Sequence, residues 1–319
     1  MGAIALYPCS RVSTERTRHR QVPGPRHRLD DQPQLFRLLH FHSLFIELLL
    51  TMKQISVASF FSLLFASVCA LSAHAADKPF EPVSGQAGKD VVWVPTPPTL
   101  VEKMLDLAKV TPSDFVMDLG SGDGRNIIAA ARRGARAVGV EYNPDMVELS
   151  NREAEKAGVA GKAKFVQGDM YEADISQATV LALFLLPENL SRLVPKFVDL
   201  KPGSRIVLNT FGIPGWEPDQ VEQADSDCGA WCSALLYIVP AKAAGEWELA
   251  GGRLKLEQTY QVLSGTFEAN GATLPISDAS LSGERIRFQV NGRQYSGVVK
   301  GDTMEGQSDG SWRARRIGS

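Results

Sequence analysis

Hydrophobic and polar positions follow two different patterns along this chain. Between Phe115 and Val239, short apolar runs alternate with segments whose apolar positions recur at helical spacing. Alternating strands and helices predict parallel pairing with helices on both faces, and a ligand site at the carboxyl ends of the strands. We predict strands at residues 115–117, 137–140, 164–167, 179–186, 205–211 and 234–239, the last antiparallel and closing the sheet, and helices at residues 127–131, 144–157 and 188–200.

After Pro240 the pattern changes to a period of two residues. Polar and apolar positions alternate in 253–257 and 285–290. Asn270-Gly271, Asn291-Gly292 and Asp309-Gly310 are expected to supply the positive-φ residues of tight hairpin turns. We therefore predict one domain over residues 76–243 and a second over residues 244–319, a small antiparallel sheet or barrel of about six strands with its own apolar core.

A glycine-rich loop, residues 118–125, joins the first predicted strand to the first helix after it. Its glycines allow a sharp turn and a close approach of the backbone to a ligand. The third glycine comes one residue too early for a dinucleotide fingerprint, and no Gly-Lys-Ser/Thr of a P-loop follows.

This loop resembles the first motif of the class I S-adenosylmethionine-dependent methyltransferases. The resemblance implies an enzyme with a Rossmann-like seven-stranded methyltransferase sheet and with S-adenosylmethionine as its cofactor. The loop residues expected to contact the cofactor are Asp118, Gly120, Ser121, Gly122 and Gly124.

Downstream positions match the family's later motifs in order and spacing. Glu141 ends the second strand, where its carboxylate can accept hydrogen bonds from both ribose hydroxyls of the cofactor. Tyr142 can cover the adenine. Asp169 follows the third strand and can accept from the adenine amino group, while Met170 can pack on the ring. Asn143, with Pro144 after it, is the expected N-cap of the intervening helix.

The segment from Trp93 to Pro218 resembles a narrower group, the mitochondrial-type protein-lysine methyltransferases and their bacterial relatives. Besides the glycine loop, the resemblance rests on Val94-Pro95-Thr96, Leu185-Leu186-Pro187-Glu188 and Gly215-Trp216-Glu217-Pro218. It implies an amine acceptor, first of all a protein lysine, with Thr96 reaching the methionine moiety and Leu185 bordering the cofactor.

Candidate acceptor residues follow the fourth strand. Glu188 can hold a lysine ammonium and Asn189 can orient it, but both positions equally suit N-terminal capping of the next helix. Trp93 and Trp216 either wall the channel or are core aromatics. The Asn/Asp-Pro-Pro-Tyr signature used for planar nitrogens is replaced by Leu186-Pro187-Glu188-Asn189. Two other functions stay open: a small-molecule methyltransferase, and a secreted module that binds the cofactor without activity.

The N-terminal region has the features of a targeting segment. Met52-Lys53-Gln54 precedes an apolar stretch to Leu71 and a small-residue site at Ala73-His74-Ala75. This predicts a signal peptide over residues 52–75, cleaved after Ala75, and makes residues 1–51 a non-native or disordered extension. Secretion or a periplasmic location, without stable membrane insertion, follows. The alternatives are a transit peptide or a membrane anchor through residues 55–72.

Cleavage at that site changes the available chemistry. All five histidines lie before it, which excludes histidine-based catalysis and metal ligation in the mature chain, so we expect no metal site. Cys228 and Cys232 remain, either as a local disulfide or as free thiols. Lysines and arginines fall from 34 to 26 and acids from 36 to 32, a net charge near −6, which argues against a nucleic-acid partner.

Overall fold

The computed structural model describes residues 80–317, so the expectations for residues 1–51 and for the signal peptide lie outside the described residues. The first part of this range contains the helices α1 (Pro98–Leu107), α2 (Arg125–Arg132), α3 (Pro144–Lys156) and α4 (Pro187–Phe197), and the strands β1 (Phe115–Leu119), β2 (Arg136–Glu141), β3 (Ala163–Gln167), β4 (Val180–Leu183), β5 (Arg205–Asn209), β6 (Gln220–Gln223) and β7 (Ser233–Ile238).

These strands form one seven-stranded sheet in the order β3-β2-β1-β4-β5-β7-β6. The first five are parallel, and β7 pairs antiparallel with both β5 and β6. The predicted methyltransferase sheet is therefore confirmed, with β4 buried along its whole length. The expectation that residues 234–239 close the sheet is wrong, because β6 lies beyond β7 at the edge. The Gln-Val-Glu-Gln sequence of β6 is largely exposed and has too little apolar character to mark a strand.

Helices cover both faces of the sheet. One apolar cluster joins α1, α2 and α3 to it through side chains such as Leu100, Ile127 and Ala154. The other joins α4 to it through Leu190, Leu193 and Phe197. The predicted N-cap is confirmed: the Asn143 side chain accepts a hydrogen bond from the Asp145 N–H at 2.9 Å.

The remaining strands form a closed barrel. They are β8 (Gly245–Leu249), β9 (Gly252–Thr259), β10 (Val262–Ala269), β11 (Ala272–Ser282), β12 (Arg285–Val290), β13 (Arg293–Lys300), β14 (Thr303–Gln307) and β15 (Ser311–Ile317). Each strand pairs with the next along the chain, and β15 returns to β8. The barrel has eight strands rather than about six. Pro275 and two register shifts interrupt the alternation of β11, and β8 and β14 are only five residues long.

Side chains fill the barrel interior, as the sequence predicted. Trp247 and Phe288 are fully buried, and the rings of Phe288, Tyr295 and Trp312 pack against one another with centroids 4.9–5.9 Å apart. Within residues 80–317, no helix combines the length and the hydrophobicity needed to cross a membrane.

All three predicted hairpins are present, but only two of them have the predicted positive-φ residues. Asn270-Gly271 and Asn291-Gly292 have positive φ at both residues. The expectation for Asp309-Gly310 is wrong, because neither residue has a positive φ. Ser308 closes that turn instead: its N–H donates to the Gly310 carbonyl at 2.8 Å and its hydroxyl to the Gln294 carbonyl at 2.7 Å, which leaves no need for a left-handed residue.

The barrel contacts the sheet region beside the loop that follows β5. The rings of Trp216 and Tyr260 stack with centroids 4.6 Å apart. The Gln261 amide donates to the Glu217 carbonyl at 2.6 Å, and the Ala241 N–H donates to the Gly283 carbonyl at 2.8 Å. The turn between β9 and β10 therefore supports the segment that begins with Phe211.

Candidate cofactor and acceptor site

A cleft of about 1310 Å³, part of it open to solvent, lies at the carboxyl ends of β1, β2, β4 and β5. This is the edge predicted from the alternation of strands and helices. The cleft brings together all but one of the residues predicted to bind the cofactor, namely Thr96, Asp118, Gly120, Ser121, Gly122, Glu141, Tyr142, Asp169, Met170 and Leu185.

The glycine loop turns sharply at the floor of the cleft. The N–H groups of Gly120 and Ser121 both donate to the Val140 carbonyl, at 2.8 and 3.1 Å. Gly122 has a φ of 56°, and a Cβ there would lie 2.6 Å from the Trp93 Nε1. Gly124 does not line the cleft; a Cβ on it would lie 2.5 Å from the Phe165 ring, so it allows close packing of α2 against β3.

Two buried oxygens at the glycine loop have no hydrogen-bond partner among the described residues: Asp118 Oδ1 and Ser121 Oγ. The other Asp118 oxygen accepts from the Asn126 amide at 3.0 Å. Burial raises the pKa of the Asp118 carboxyl well above its usual range, and the nearby carboxylates of Glu141 and Asp123 act in the same direction. A buried carboxylate oxygen without a partner suits a cationic group, and the amino acid moiety of S-adenosylmethionine carries an ammonium.

The carboxylate of Glu141 is held in place by the backbone. Its Oε2 accepts from the Gly122 N–H and its Oε1 from the Asn143 N–H, both at 2.9 Å. Each carboxylate oxygen has a second lone pair, so both can still accept from a ribose hydroxyl. The loop, β2 and the start of α3 therefore fix this acid together.

Asp169 is paired on both oxygens. Its Oδ1 accepts from the Tyr171 N–H at 2.9 Å, and its Oδ2 accepts from the Lys89 ammonium. The hydrogen bond from Lys89 holds the pKa of the Asp169 carboxyl below its usual range. The Lys89 ammonium also lies 4.9 Å from the centroid of the Tyr142 ring, which places a cation beside two of the three predicted adenine contacts, Tyr142 and Asp169.

A strap of residues 86–96 forms one wall of the cleft. Ala87 and Val92 pair antiparallel, and the Trp93 N–H donates to the Gln86 carbonyl at 2.9 Å. The Arg125 guanidinium donates to the Thr96 carbonyl at 2.5 Å and anchors the end of the strap. Of this strap the sequence singled out Trp93 and the motif Val94-Pro95-Thr96, whereas residues 86–92 carry no motif that would have marked them.

Three aromatic rings occupy the end of the cleft beyond β4 and β5. Phe184 follows β4, Phe211 follows β5, and Trp231 precedes β7. Their centroids are 5.5–6.2 Å apart. Sequence reasoning missed them because they come from three separate loops and share no spacing. Trp216 lies in the core rather than in the cleft, 2% exposed.

The two predicted acceptor residues do not line the cleft. Glu188 is exposed in the first turn of α4. Asn189 is buried, and its amide donates to the Tyr171 hydroxyl at 2.8 Å. Leu185 and Leu186, immediately before them, do line the cleft. The acceptor roles of Glu188 and Asn189 therefore stay predictions.

The cysteines after β6 form a Cys228–Cys232 disulfide, the first of the two states considered for them. Among the residues that the structure describes, no group of three or more histidine, cysteine or acidic side chains is placed to hold a metal ion.

Known proteins share this sheet region. The family model of the ANTKMT methyltransferase domain matches residues 118–220, a range that ends before the barrel. A protein-lysine N-methyltransferase of Saccharolobus islandicus (strain REY15A) is 47% identical over 152 residues, which cover 47% of this chain and 94% of that protein. The adenine nucleotide translocase lysine N-methyltransferase of Mus musculus is 35% identical over 129 residues, 40% of this chain. The chain spans 56% of the mouse protein's length.

A solved structure, described as an RNA methyltransferase from Salinibacter ruber in complex with S-adenosyl-L-homocysteine, is 44% identical. It covers 47% of this chain and 95% of its own, with a TM-score of 0.43. Membership of the family is established by the Saccharolobus relative, because this chain covers 94% of that protein at 47% identity. The chain therefore belongs to the same family of methyltransferases as that protein-lysine N-methyltransferase, with S-adenosylmethionine as its cofactor.

Proposed function

We propose that this methyltransferase acts on the amine of a protein lysine. The observation that carries the proposal is the character of the acceptor end of the cleft, which is aromatic inside and acidic along the neighbouring chain. From Ile206 to Ala241 the chain has no lysine or arginine and five acids, Glu217, Asp219, Glu222, Asp225 and Asp227; of these, Glu222 pairs with Lys103 of α1 at 3.6 Å. Negative charge there favours a cationic acceptor. The names of the archaeal and mouse relatives, both lysine N-methyltransferases, support the same acceptor.

The chemistry suits the residues of the cleft. Bound S-adenosylmethionine supplies a methyl group on a sulfonium centre, and the acceptor must present a neutral amine in line with it. Alignment and exclusion of water are the main tasks of the protein in such a transfer. The apolar wall formed by Leu185 and Leu186 desolvates the acceptor amine, which lowers its pKa and favours loss of its proton.

Individual roles within the cleft belong to the same proposal. Asp118, Ser121 and Thr96 are assigned to the amino acid moiety of the donor, Glu141 to its ribose, and Tyr142, Asp169 and Met170 to its adenine. These assignments are supported by the fixed Glu141 carboxylate and by the two loop oxygens that have no hydrogen-bond partner within residues 80–317.

Glu188 is assigned to the acceptor lysine, because it follows the cleft-lining Leu185 and Leu186. We expect Glu188→Gln to lower turnover while leaving donor affinity within a few-fold. Isothermal calorimetry with the donor and a methyl-transfer assay measure the two quantities separately. If Glu188→Gln turns over at the wild-type rate, Glu188 has no role toward the acceptor and is only an acidic residue in the first turn of α4.

The acceptor class is tested by incubating the full chain with methyl-labelled S-adenosylmethionine and a cell-envelope extract of its native host. Mass spectrometry should locate the label on lysine Nζ atoms, and the donor-binding variant Asp118→Ala should give none. Label confined to small molecules or to oxygen would favour the small-molecule methyltransferase. Donor binding without any label would favour the inactive cofactor-binding module.

We also propose that the chain is exported and works outside the cytosol. The apolar stretch after Met52, the small residues before Ala76 and the Cys228–Cys232 disulfide support this location. Mass spectrometry of protein recovered from the native host should find an N-terminus near Ala76 and no alkylation of Cys228 or Cys232 without reductant. An intact N-terminal segment, or two alkylated thiols, would contradict export.

A further inference from the structure

The three rings at the acceptor end of the cleft form a slot, defined here as Phe184, Phe211 and Trp231. Phe184 and Phe211 lie nearly parallel, 16° apart at 6.2 Å, and Trp231 meets both at steep angles. All three side chains are half-buried and line the cleft. Part of their aromatic surface therefore faces the cleft instead of packing into the core.

Aromatic faces attract cations, and ammonium groups that carry methyls are bound in this way by clusters of such rings. Elsewhere in the described chain, cationic side chains already lie over aromatic rings, as Arg192 does over Tyr171 and Arg316 over Trp247. Over the slot, no lysine or arginine between residues 80 and 317 takes such a position. The slot suits a cation brought by another molecule.

The backbone that carries Phe211 is held in an uncommon conformation. Thr210 has a φ of 59°, which is unfavourable for a β-branched residue and is found where the surrounding structure enforces it, often at functional sites. Its N–H donates to the Ser233 carbonyl at 2.7 Å, at the start of β7. This bond fixes the direction in which the chain leaves β5 and turns Phe211 toward the cleft.

Trp231 is held differently, by the short loop between the two cysteines. Its N–H donates to the Cys228 carbonyl at 2.9 Å, and the disulfide joins Cys228 to Cys232 directly around it. The aromatic neighbours of the Trp231 ring are Phe184 and Phe211 themselves. The disulfide therefore restrains the loop that carries the Trp231 wall of the slot.

We propose that Phe184, Phe211 and Trp231 bind the ammonium of the acceptor lysine, and that the Cys228–Cys232 disulfide positions Trp231 for this contact. The inference rests on the proposed lysine acceptor and adds the subsite that recognises it. Because the disulfide forms in an oxidising compartment, recognition of the acceptor is linked to that compartment. The donor half of the cleft lies apart from the disulfide.

A direct binding measurement tests the slot without turnover. The probes are N-acetyl-Nε-trimethyl-lysine amide and its neutral isostere, in which carbon replaces the quaternary nitrogen; binding to the full chain is followed by saturation-transfer NMR. We expect the cationic probe to bind about tenfold more tightly than the isostere. Trp231→Leu, which keeps apolar bulk, should abolish that preference, whereas Trp231→Phe should retain most of it.

The disulfide is tested with a Cys228→Ser/Cys232→Ser variant. It should lose the preference for the cation as fully as Trp231→Leu and raise the KM for the acceptor about tenfold, while donor affinity by calorimetry stays within about twofold. Unchanged donor affinity shows that the fold is kept. Reductant should weaken probe binding to the wild type and leave the serine variant unaffected. The serine variant keeps the other two cysteines of the chain, Cys9 and Cys69, and so shows whether their reduction has any effect.

The outcomes separate this inference from the proposed function. Suppose first that the wild type labels lysine. If the two probes then bind equally, or if Trp231→Leu and the serine variant both keep the wild-type preference for the cation, the slot is overturned and the lysine acceptor stands. No lysine labelling, together with selective binding of the cationic probe, would overturn the lysine acceptor and leave a cation-binding slot.

Discussion

At the scale of single residues, Asp118 has the most unusual charge environment of the cleft. It is 3% exposed, one carboxylate oxygen has no partner among the described residues, and burial raises its pKa well above the usual range. In the free protein the neutral acid therefore persists to higher pH than in a solvated aspartate. A donor ammonium placed against Oδ1 would favour the carboxylate, so the pKa of Asp118 should fall when the donor binds.

This change predicts that donor binding releases a proton. Below the raised pKa of the free protein, binding must deprotonate Asp118, so donor affinity should increase as pH rises toward that pKa and level off above it. Calorimetry in buffers of different ionisation enthalpy measures the protons released. Asp118→Asn should bind the donor weakly and release none. A pH-independent affinity in the wild type would place the ammonium elsewhere.

The raised pKa of Asp118 also predicts how the stability of the free protein changes with pH. Because the folded-state pKa of Asp118 lies above its unfolded value, its favourable contribution is complete below the unfolded pKa and is lost as pH rises through the folded one. Asp118→Asn cannot ionise, so its free energy of unfolding should decline less over that range than that of the wild type. Urea denaturation at a series of pH values compares the two proteins.

Gly122 gives a second residue-scale prediction. Gly122→Ala places a Cβ 2.6 Å from the Trp93 Nε1 and adds strain at a φ of 56°, so the wall of the cleft must shift. We expect donor affinity to fall at least about tenfold, equivalent to about 1.4 kcal/mol. Gly158→Ala is the matched control, since Gly158 also has a positive φ but nothing within 4 Å of its Cβ. Equal donor affinities in the two variants would contradict a role for the tight Gly122–Trp93 contact.

At the scale of elements, the sequence predicted what is encoded locally. The apolar run of residues 179–186 and the Asn143-Pro144 start of α3 each contain their own signal. The buried strand and the helix start are confirmed, but the strand ends at Leu183, and residues 184–186 leave it to line the cleft. The strand β6 was missed because its stability comes from pairing with β7, not from its own residues. The aromatic slot was missed for a similar reason, since only the fold brings its three loops together.

The cap of α3 can be tested by Asn143→Ala. The side chain accepts from the Asp145 N–H, and its loss should lower the free energy of unfolding by about 1 kcal/mol. The main-chain N–H that holds Glu141 is retained, so donor affinity should change little. Urea denaturation gives the stability. Asn151→Ala on the exposed face of the same helix is the control, expected within about 0.5 kcal/mol of wild type.

At the scale of the whole molecule, the barrel supports the acceptor side of the cleft. Its turn between β9 and β10 stacks Tyr260 on Trp216, which in turn meets the Tyr237 ring at 5.6 Å. The Tyr237 hydroxyl accepts from the Ile213 N–H at 3.1 Å. Phe211 thus begins a segment that is held by the sheet on one side and by the barrel on the other.

Removing the stacked ring should therefore affect the acceptor more than the donor. Tyr260→Ala is expected to lower the free energy of unfolding by about 1–3 kcal/mol and to raise the acceptor KM, because Trp216 loses its stacking partner and the segment after β5 loosens. Donor affinity should stay within about twofold, since the glycine loop, Glu141 and Asp169 lie away from this contact. Val262→Ala, at the first residue of β10 and 58% exposed, is the matched control and should leave all three quantities near wild type. If Tyr260→Ala lowers stability but leaves the acceptor KM unchanged, the barrel contributes to folding alone and the slot keeps its shape without it.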